Sequence, residues 1–353
     1  MVLLVHAYYR GPELPHGPLS KLLVAGWMGV DLFFCLSGFL ITSILIQARL
    51  QPSYFRNFYV KRAGRIVPIF AGLLIVLFVA SFFADLFPAK VASPLRGVAQ
   101  NVHIYAFFAA NLSSVFGWDL ASANVILGPV WSLCVEEHFY MVWPAVILVL
   151  SDPRFSLRLL CNVTGLALLV SILARWALVD HGDSDLVYHF TLTRLDGLLL
   201  GSLLAIMIAR HRLGHSAMQA GGAAAFAAGL AGLFMVYWIE GSLHYSTASM
   251  QVFGYTASAL LWVGFIALGL AFRPMRRALA LNVLRLFGRY SYSIYLFHWP
   301  LLLLLDQARW APGYLSYMFY ILIVGSICLF LGWLIFVAYE RPAALFIRRV
   351  GLR

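Results

Sequence analysis

The stretch WSLCVEEHFYMVWPAVILVL, residues 131–150, decides the fold class of this chain. It is strongly apolar and long enough for a helix to cross a hydrocarbon layer about 30 Å thick. Glu136 and Glu137 interrupt it, and a charge at bilayer depth costs roughly 2.5–3.5 kcal/mol by translocon insertion. Carboxylates kept at that cost usually face a cavity or a partner, so the pair marks a candidate site inside a membrane.

The composition of the whole chain agrees with this interpretation. Of 353 residues, 62% are hydrophobic and only 11% are charged, whereas a soluble domain carries about 25% charged residues. The alternating segments of about ten residues that form transmembrane barrels are missing. The sequence therefore predicts an all-α polytopic membrane protein. Its net charge of +11 is expected to reflect orientation in the bilayer, with no nucleic-acid partner.

Apolar runs predict about ten transmembrane helices in a single membrane domain over 1–353, with no appended soluble domain. The predicted spans are 1–9, 27–46, 66–84, 131–150, 159–179, 191–209, 220–239, 252–272, 290–308 and 316–338. The segment 98–115 is ambiguous, because it is apolar but interrupted by polar residues.

The distribution of basic residues decides this ambiguity. If 98–115 does not span, both termini are cytoplasmic and the arginines concentrate in cytoplasmic loops such as 47–65 and 273–289. The predicted outer side then holds only Arg10, Lys21, Lys90, Arg96 and Arg309. If 98–115 did span, this bias would collapse. We therefore expect 98–115 to be re-entrant or interfacial.

Polar residues of several spans are predicted to converge on the outer half of the bilayer. They are His6, Asp31, Glu136, Glu137, Arg194 and Asp196. Arg194 and Asp196 have two interpretations that the sequence supports equally. They belong to a functional site, or they form a structural ion pair or anchor a helix end. Glu136 and Glu137 point about 100° apart on a helix, so one can serve the site while the other packs.

Three further features have a functional and an ordinary interpretation. His6 is a candidate base or nucleophile that Asp31 could orient, or simply a polar residue at a helix end. Arg62 and Arg65 could clamp phosphates from one helix face, or be ordinary positive-inside charge. His298, beside Trp299 and Pro300, lines a pore or packs.

Five blocks of sequence, in order, resemble the signature blocks of the acyltransferase 3 family of membrane O-acyltransferases. The blocks are GWMGVDLFFCLSGFLIT (26–42), FYVKRAGRIVP (58–68), GPVWSLCVEEHFYMVWP (128–144), TRLDGLLLG (193–201) and YSYSIYLFHWP (290–300). The resemblance covers nearly the whole chain.

The resemblance implies acyl transfer from cytosolic acyl-CoA, usually acetyl-CoA, to a hydroxyl of an extracytoplasmic glycan or related acceptor. It implies a bacterial inner-membrane location and no tightly bound cofactor. A metal site is not expected either, because the four cysteines form no CxxC pair and no Cys–His ligand spacing. His6 matches the essential histidine of the first helix, and Asp31 is expected to orient it. Arg62 and Arg65 match the arginines proposed to hold the CoA phosphates. The block 128–144 matches the family at Trp131, Ser132, Glu136 and Glu137, of which the two glutamates are expected to be catalytic. The supporting residues are Trp131, Ser132, Arg194, Asp196 and His298.

One departure keeps two alternatives open. The family carries a basic residue eleven positions before the histidine, but only five residues precede His6. We expect either a longer native first helix or a catalytically impaired member. The main alternative to an enzyme is a proton-coupled secondary transporter, although the repeated halves common in transporters are not visible in this sequence. The acceptor, the acyl chain length and the oligomeric state are left open.

Overall fold

The protein was analysed as a computed structural model that describes residues 1–15, 17–150, 157–180, 182–211, 214–305 and 310–349. Within these ranges the regular structure is helical and contains no strand, which confirms the all-α prediction. Arg309 and residues 350–353, on which part of the orientation prediction rests, lie outside the described residues.

The described helices are numbered in chain order. They are α1 (Val2–Arg10), α2 (Pro18–Val24), α3 (Gly29–Ala48), α4 (Tyr54–Ser81), α5 (Ala89–Ala106), α6 (Ser113–Phe116), α7 (Ala121–Leu127), α8 (Val130–Leu150), α9 (Leu157–Val179), α10 (Ser184–His189), α11 (Asp196–His211), α12 (His215–Glu240), α13 (Tyr255–Ala271), α14 (Arg273–Leu279), α15 (Asn282–Arg289), α16 (Ser291–Leu304), α17 (Tyr314–Ile335) and α18 (Arg341–Arg349). Short 3-10 helices and two π-helical turns, Met250–Gly254 and Phe336–Glu340, join some of them.

Seven helical stretches in the described part of the chain are long and apolar enough to cross a membrane. They are Ser20–Ala48, Tyr54–Ser81, Val130–Leu150, Leu157–Val179, His215–Glu240, Met250–Ala271 and Tyr314–Phe346. The chain is therefore a multi-pass membrane protein.

The predicted count of about ten spans is not confirmed. Each predicted span overlaps a helix, but α1, α11 and α16 have only 9, 16 and 14 residues. At 1.5 Å per residue they are shorter than a hydrocarbon layer of about 30 Å.

The ambiguous segment 98–115 does not form one continuous helix. Helix α5 ends at Ala106, and Phe108 then takes a left-handed conformation with φ of 54°. A 3-10 turn over Ala110–Leu112 and the four-residue helix α6 complete the segment. None of these pieces belongs to the seven long apolar stretches, as expected of a segment that does not span.

The chain divides into two compact units. Unit 1 comprises Met1–Leu23, Ser53–Leu133 and Val283–Arg353. Within it α4 packs on α5, α5 on α7 and α16 on α17, while α1 contacts both α16 and α17. The buried core around α1 and α17 contains Ala7, Leu302, Tyr320 and Val324, so the apolar face of α1 holds that helix in place.

Unit 2 comprises Val24–Pro52 and Cys134–Asn282. Here α3 packs along α11 and α12 packs along α13. A Cβ atom added to Gly38 would lie 1.9 Å from the carbonyl oxygen of Leu198, and one added to Gly201 would lie 2.1 Å from that of Cys35. The glycines at these two positions thus allow α3 and α11 to pack closely.

Candidate active site

Two histidines meet inside unit 1. His6 lies on α1, where its neighbours Val5 and Ala7 are buried, and His298 lies on α16. The Nδ1 atom of His6 is 2.7 Å from the Nε2 atom of His298. His298 is only 1% exposed, whereas His6 is half-buried. The pair therefore has one partner fixed in the core and one that keeps partial exposure.

His298 is also bonded to its own helix. Its Nδ1 atom lies 2.7 Å from the carbonyl oxygen of Tyr295 and 3.2 Å from that of Ile294. Both ring nitrogens of His298 thus have a partner, which fixes the orientation of the ring.

Trp299 and Arg10 flank the pair. The rings of Trp299 and His6 meet edge to face with centroids 4.5 Å apart, and the Arg10 guanidinium lies 4.2 Å above the Trp299 ring. Both side chains donate to the carbonyl oxygen of Val125, Trp299 Nε1 at 3.0 Å and Arg10 Nη2 at 3.2 Å. Sequence reasoning missed Arg10, which it counted as an outer charge. The available signal was its position four residues after His6, on the same helix face.

Ser132, a predicted site residue, contacts the same helix as His298. Its hydroxyl lies 2.6 Å from that of Tyr295, and Tyr295 donates to the carbonyl oxygen of Pro129 at 2.8 Å. Tyr295 therefore links the start of α8 to the backbone turn that holds His298. The neighbouring Trp131 is buried.

Arg62 and Arg65 lie three residues apart on α4, also in unit 1. Arg65 is exposed and interacts electrostatically with Glu340. Arg62 is half-buried, with its guanidinium 6.0 Å from the centroid of the Phe58 ring.

An apolar groove of about 440 Å³ begins one turn beyond Arg65 on α4. Its walls include Pro68, Gly72 and Val76 of α4, Phe297 of α16 and Leu334 of α17. A Cβ atom added to Gly72 would meet open space, so this glycine leaves the groove unobstructed. Phe297 immediately precedes His298 in the chain.

Three predicted residues of unit 2, namely Asp31, Arg194 and Asp196, take part in two buried ion pairs. Arg194 Nη2 donates to Asp31 Oδ1 at 2.7 Å, and the Arg194 guanidinium lies 4.0 Å above the Tyr255 ring. The structure thus gives Asp31 the partner Arg194 and gives His6 the partner His298. Because His6 and Asp31 belong to different units, the orienting role of Asp31 stays a prediction.

Asp196 pairs with Arg175 rather than with the nearby Arg194. Arg175 donates two hydrogen bonds to the Asp196 carboxylate, at 2.8 and 2.9 Å. It also donates to the carbonyl oxygen of Thr193 and to Thr256 Oγ1. Sequence reasoning placed Arg175 inside a span without assigning it a role, since a partner 21 residues away on another helix leaves no local pattern.

The two adjacent glutamates of α8 differ in burial. Glu136 is 2% exposed, and Glu137 is half-buried. The next residue, His138, places its Nδ1 atom 2.7 Å from Thr191 Oγ1. All three belong to unit 2, and a role for either glutamate in acyl transfer stays a prediction.

Within unit 1 the three predicted residues His6, His298 and Ser132 are thus connected. His6 contacts His298. Tyr295 contacts His298 through its carbonyl oxygen and Ser132 through its hydroxyl. A half-buried imidazole held by a second imidazole is suited to general-base or nucleophilic chemistry.

Comparison with known proteins agrees with the sequence blocks. The family described as acyltransferase domain, acyltransferase 3, matches residues 1–338. The peptidoglycan O-acetyltransferase OatA of Listeria monocytogenes is 30% identical over 79% of this chain and 45% of its own length. The putative peptidoglycan O-acetyltransferase YrhL of Bacillus subtilis is 30% identical over 79% of this chain and 44% of its own.

The O-acetyltransferase OatA of Staphylococcus aureus is 28% identical over 82% of this chain and 48% of its own length. This chain therefore spans about half the length of these curated relatives. No solved structure matches it. Because the family match covers nearly the entire sequence, the chain belongs to the acyltransferase 3 family.

Proposed function

We propose that this protein is a membrane O-acetyltransferase that moves an acetyl group from cytosolic acetyl-CoA to a hydroxyl of an extracytoplasmic glycan. The observation that carries the proposal is the contact between His6 and His298, because it holds the histidine predicted as base or nucleophile in a site suited to proton transfer. The location is the bacterial inner membrane, with both termini in the cytoplasm.

Peptidoglycan is the first acceptor to test. Two of the relatives are named peptidoglycan O-acetyltransferases. A glycan of this kind offers hydroxyl groups whose acetylation needs a base to remove one proton.

The proposed reaction is attack of the acceptor oxygen on the thioester carbonyl carbon. His6 takes the hydroxyl proton as the new C–O bond forms. The C–S bond then breaks, and the CoA thiolate leaves and takes up that proton. Alternatively, His6 attacks the thioester first, forming a C–N bond as the C–S bond breaks and the CoA thiolate leaves. The acceptor oxygen then attacks the acetyl carbon, the C–N bond breaks, and the hydroxyl proton goes to the thiolate. Both routes give one ester and one free thiol.

The donor is proposed to reach His6 from the side of Arg62 and Arg65. Their two guanidinium groups are suited to hold the CoA phosphates. The groove that begins at Pro68 and extends to Phe297 would hold the extended arm of the donor, with the thioester directed towards the histidines. The exposed position of Arg65 and the open space at Gly72 support this route.

The test is a transfer assay on the full chain in proteoliposomes with acetyl-labelled CoA and purified peptidoglycan fragments. We expect label on the glycan with wild-type protein and with His103→Gln, which alters an exposed histidine of unit 1. We expect none with His6→Gln. Uptake of solute into the vesicles without acetyl transfer would overturn the proposal in favour of a transporter.

A further inference from the structure

We propose that His298 is a positioning residue that fixes the tautomer of His6, so that Nε2 of His6 is the nitrogen that takes the proton or the acetyl group. This inference rests on the proposed function only for its catalytic consequence. The tautomer itself follows from the hydrogen-bond geometry of unit 1.

The contact of His298 with the backbone shows which of its ring nitrogens carries the hydrogen. Its Nδ1 atom lies 2.7 Å from the carbonyl oxygen of Tyr295. A carbonyl oxygen can only accept a hydrogen bond, so Nδ1 of His298 must carry a hydrogen and donate it. In a neutral imidazole the other nitrogen, Nε2, is then an acceptor.

Burial and the nearby positive charge favour the neutral form of both imidazole rings. His298 is 1% exposed, and a buried cation is costly unless an anion pairs with it. Neither histidine forms an ion pair with a carboxylate among the described residues. Arg10, a cation over the ring of Trp299, lies in the same site. A second positive charge beside it is disfavoured by repulsion.

The hydrogen bond between the two rings then determines which nitrogen of His6 carries its hydrogen. With Nε2 of His298 an acceptor, the 2.7 Å contact requires a hydrogen on Nδ1 of His6, which donates. Neutral His6 then has its lone pair on Nε2. The chain of donors therefore runs from His6 to His298 to the Tyr295 carbonyl.

The ring geometry supports a linear hydrogen bond rather than stacking. The two ring planes are within 2° of parallel, and their centroids are 5.0 Å apart. A ring nitrogen lies about 1.15 Å from its own centroid, given C–N bonds of about 1.33 Å. A 2.7 Å contact on the line between the centroids therefore gives about the separation observed. The rings meet edge to edge.

This arrangement has a direct catalytic consequence. When Nε2 of His6 takes a proton, the Nδ1 hydrogen stays bonded to His298, and that bond becomes charge-assisted. His298 need not take a proton itself. It performs the orienting role that a carboxylate has in other histidine sites.

The structural test is nitrogen NMR of the ¹⁵N-histidine-labelled full chain in detergent near pH 8, with signals assigned from spectra of His6→Gln and His298→Gln. We expect Nδ1 to be the protonated nitrogen in both rings. In His298→Leu, which removes the acceptor, His6 should no longer be held as the Nδ1–H tautomer, while exposed His103 is unchanged. Protonation of His6 at Nε2 in the wild type would overturn the proposal.

The kinetic test compares two substitutions in the acetyl-transfer assay. His298→Gln supplies an amide oxygen that can accept from Nδ1 of His6, whereas His298→Leu supplies none. We expect kcat to fall about 10²-fold or more in His298→Leu, with KM for acetyl-CoA within twofold, and to recover at least tenfold in His298→Gln. Equal loss in two folded variants, or no loss in His298→Leu, would contradict the proposal.

The two tests separate this inference from the proposed function. If the NMR result holds but the wild type transfers no acetyl group to any glycan, the function fails and the tautomer assignment stands. If the wild type transfers and His298→Leu is unaffected, the function stands and the inference fails.

Discussion

Arg175 and Asp196 form a doubly hydrogen-bonded ion pair inside unit 2, with N–O distances of 2.8 and 2.9 Å. The Arg175 side chain is 0% exposed and that of Asp196 is 4% exposed. Removing one partner leaves the other charge buried and unpaired, which typically costs about 3–5 kcal/mol. We therefore predict that Arg175→Met lowers the thermal unfolding temperature in detergent and reduces the yield of monodisperse protein.

A double variant provides the control for this pair. Arg175→Met combined with Asp196→Leu removes both charges and should recover much of the lost stability, since an apolar pair of similar volume avoids the buried charge. An Arg175→Met protein that unfolds at the wild-type temperature would contradict a buried ion pair at this position.

The packing of α3 on α11 predicts a second effect on stability. A Cβ atom at Gly38 would lie 1.9 Å from the carbonyl oxygen of Leu198, so Gly38→Ala should force the helices apart and destabilise unit 2 by about 1–3 kcal/mol. Gly165→Ala on α9 is the matched control, because its Cβ atom meets open space. It should be neutral or slightly stabilising. Equal unfolding temperatures for the two variants would disprove the close contact.

Much of this fold could be predicted from the apolar runs. A chain segment that crosses lipid must satisfy its backbone hydrogen bonds internally, so a long apolar run predicts a helix. Each predicted span has a helix. The number of spans is the part of the prediction that is not confirmed. Run 290–308 reads as a full span, yet α16 has only 14 residues, since apolar composition does not reveal where a helix ends.

The phosphate-binding role of Arg62 and Arg65 predicts a selective loss. Arg62→Gln/Arg65→Gln should raise KM for acetyl-CoA about 10–100-fold, because charge-assisted hydrogen bonds contribute about 1.5–3 kcal/mol. With acetyl-pantetheine, which lacks phosphates, the double variant should match the wild type. Arg56→Gln, an exposed arginine of the same helix, should leave both donors unaffected. The same loss with acetyl-pantetheine would rule out phosphate binding.

The groove at Gly72 predicts a complementary loss. Gly72→Leu places a side chain in open space between α4 and α17, where it should obstruct the donor arm and raise KM about tenfold for acetyl-CoA and acetyl-pantetheine alike. The protein should remain folded, since no atom lies within 4 Å of the added Cβ. Gly165→Leu is the control in equally open space. Unchanged kinetics of folded Gly72→Leu would place the donor elsewhere.

The candidate site was only partly predictable. The sequence identified His6 and His298 separately, but they are 292 residues apart in the chain, and no local spacing records such a contact. It assigned Asp31 to orient His6, and that role stays a prediction. The structure shows a buried pair of Asp31 with Arg194, which the packing of α3 on α11 brings together and which no local sequence pattern records.

The role of His6 in acyl transfer determines the rate at which label passes from acetyl-CoA to peptidoglycan fragments. The decisive experiment compares this rate in proteoliposomes of wild-type and His6→Gln protein, matched for quantity and for unfolding temperature. We predict that His6→Gln loses at least 10²-fold in rate, as for removal of a general base, while His103→Gln keeps the wild-type rate. A folded His6→Gln protein that transfers label at the wild-type rate would contradict the account.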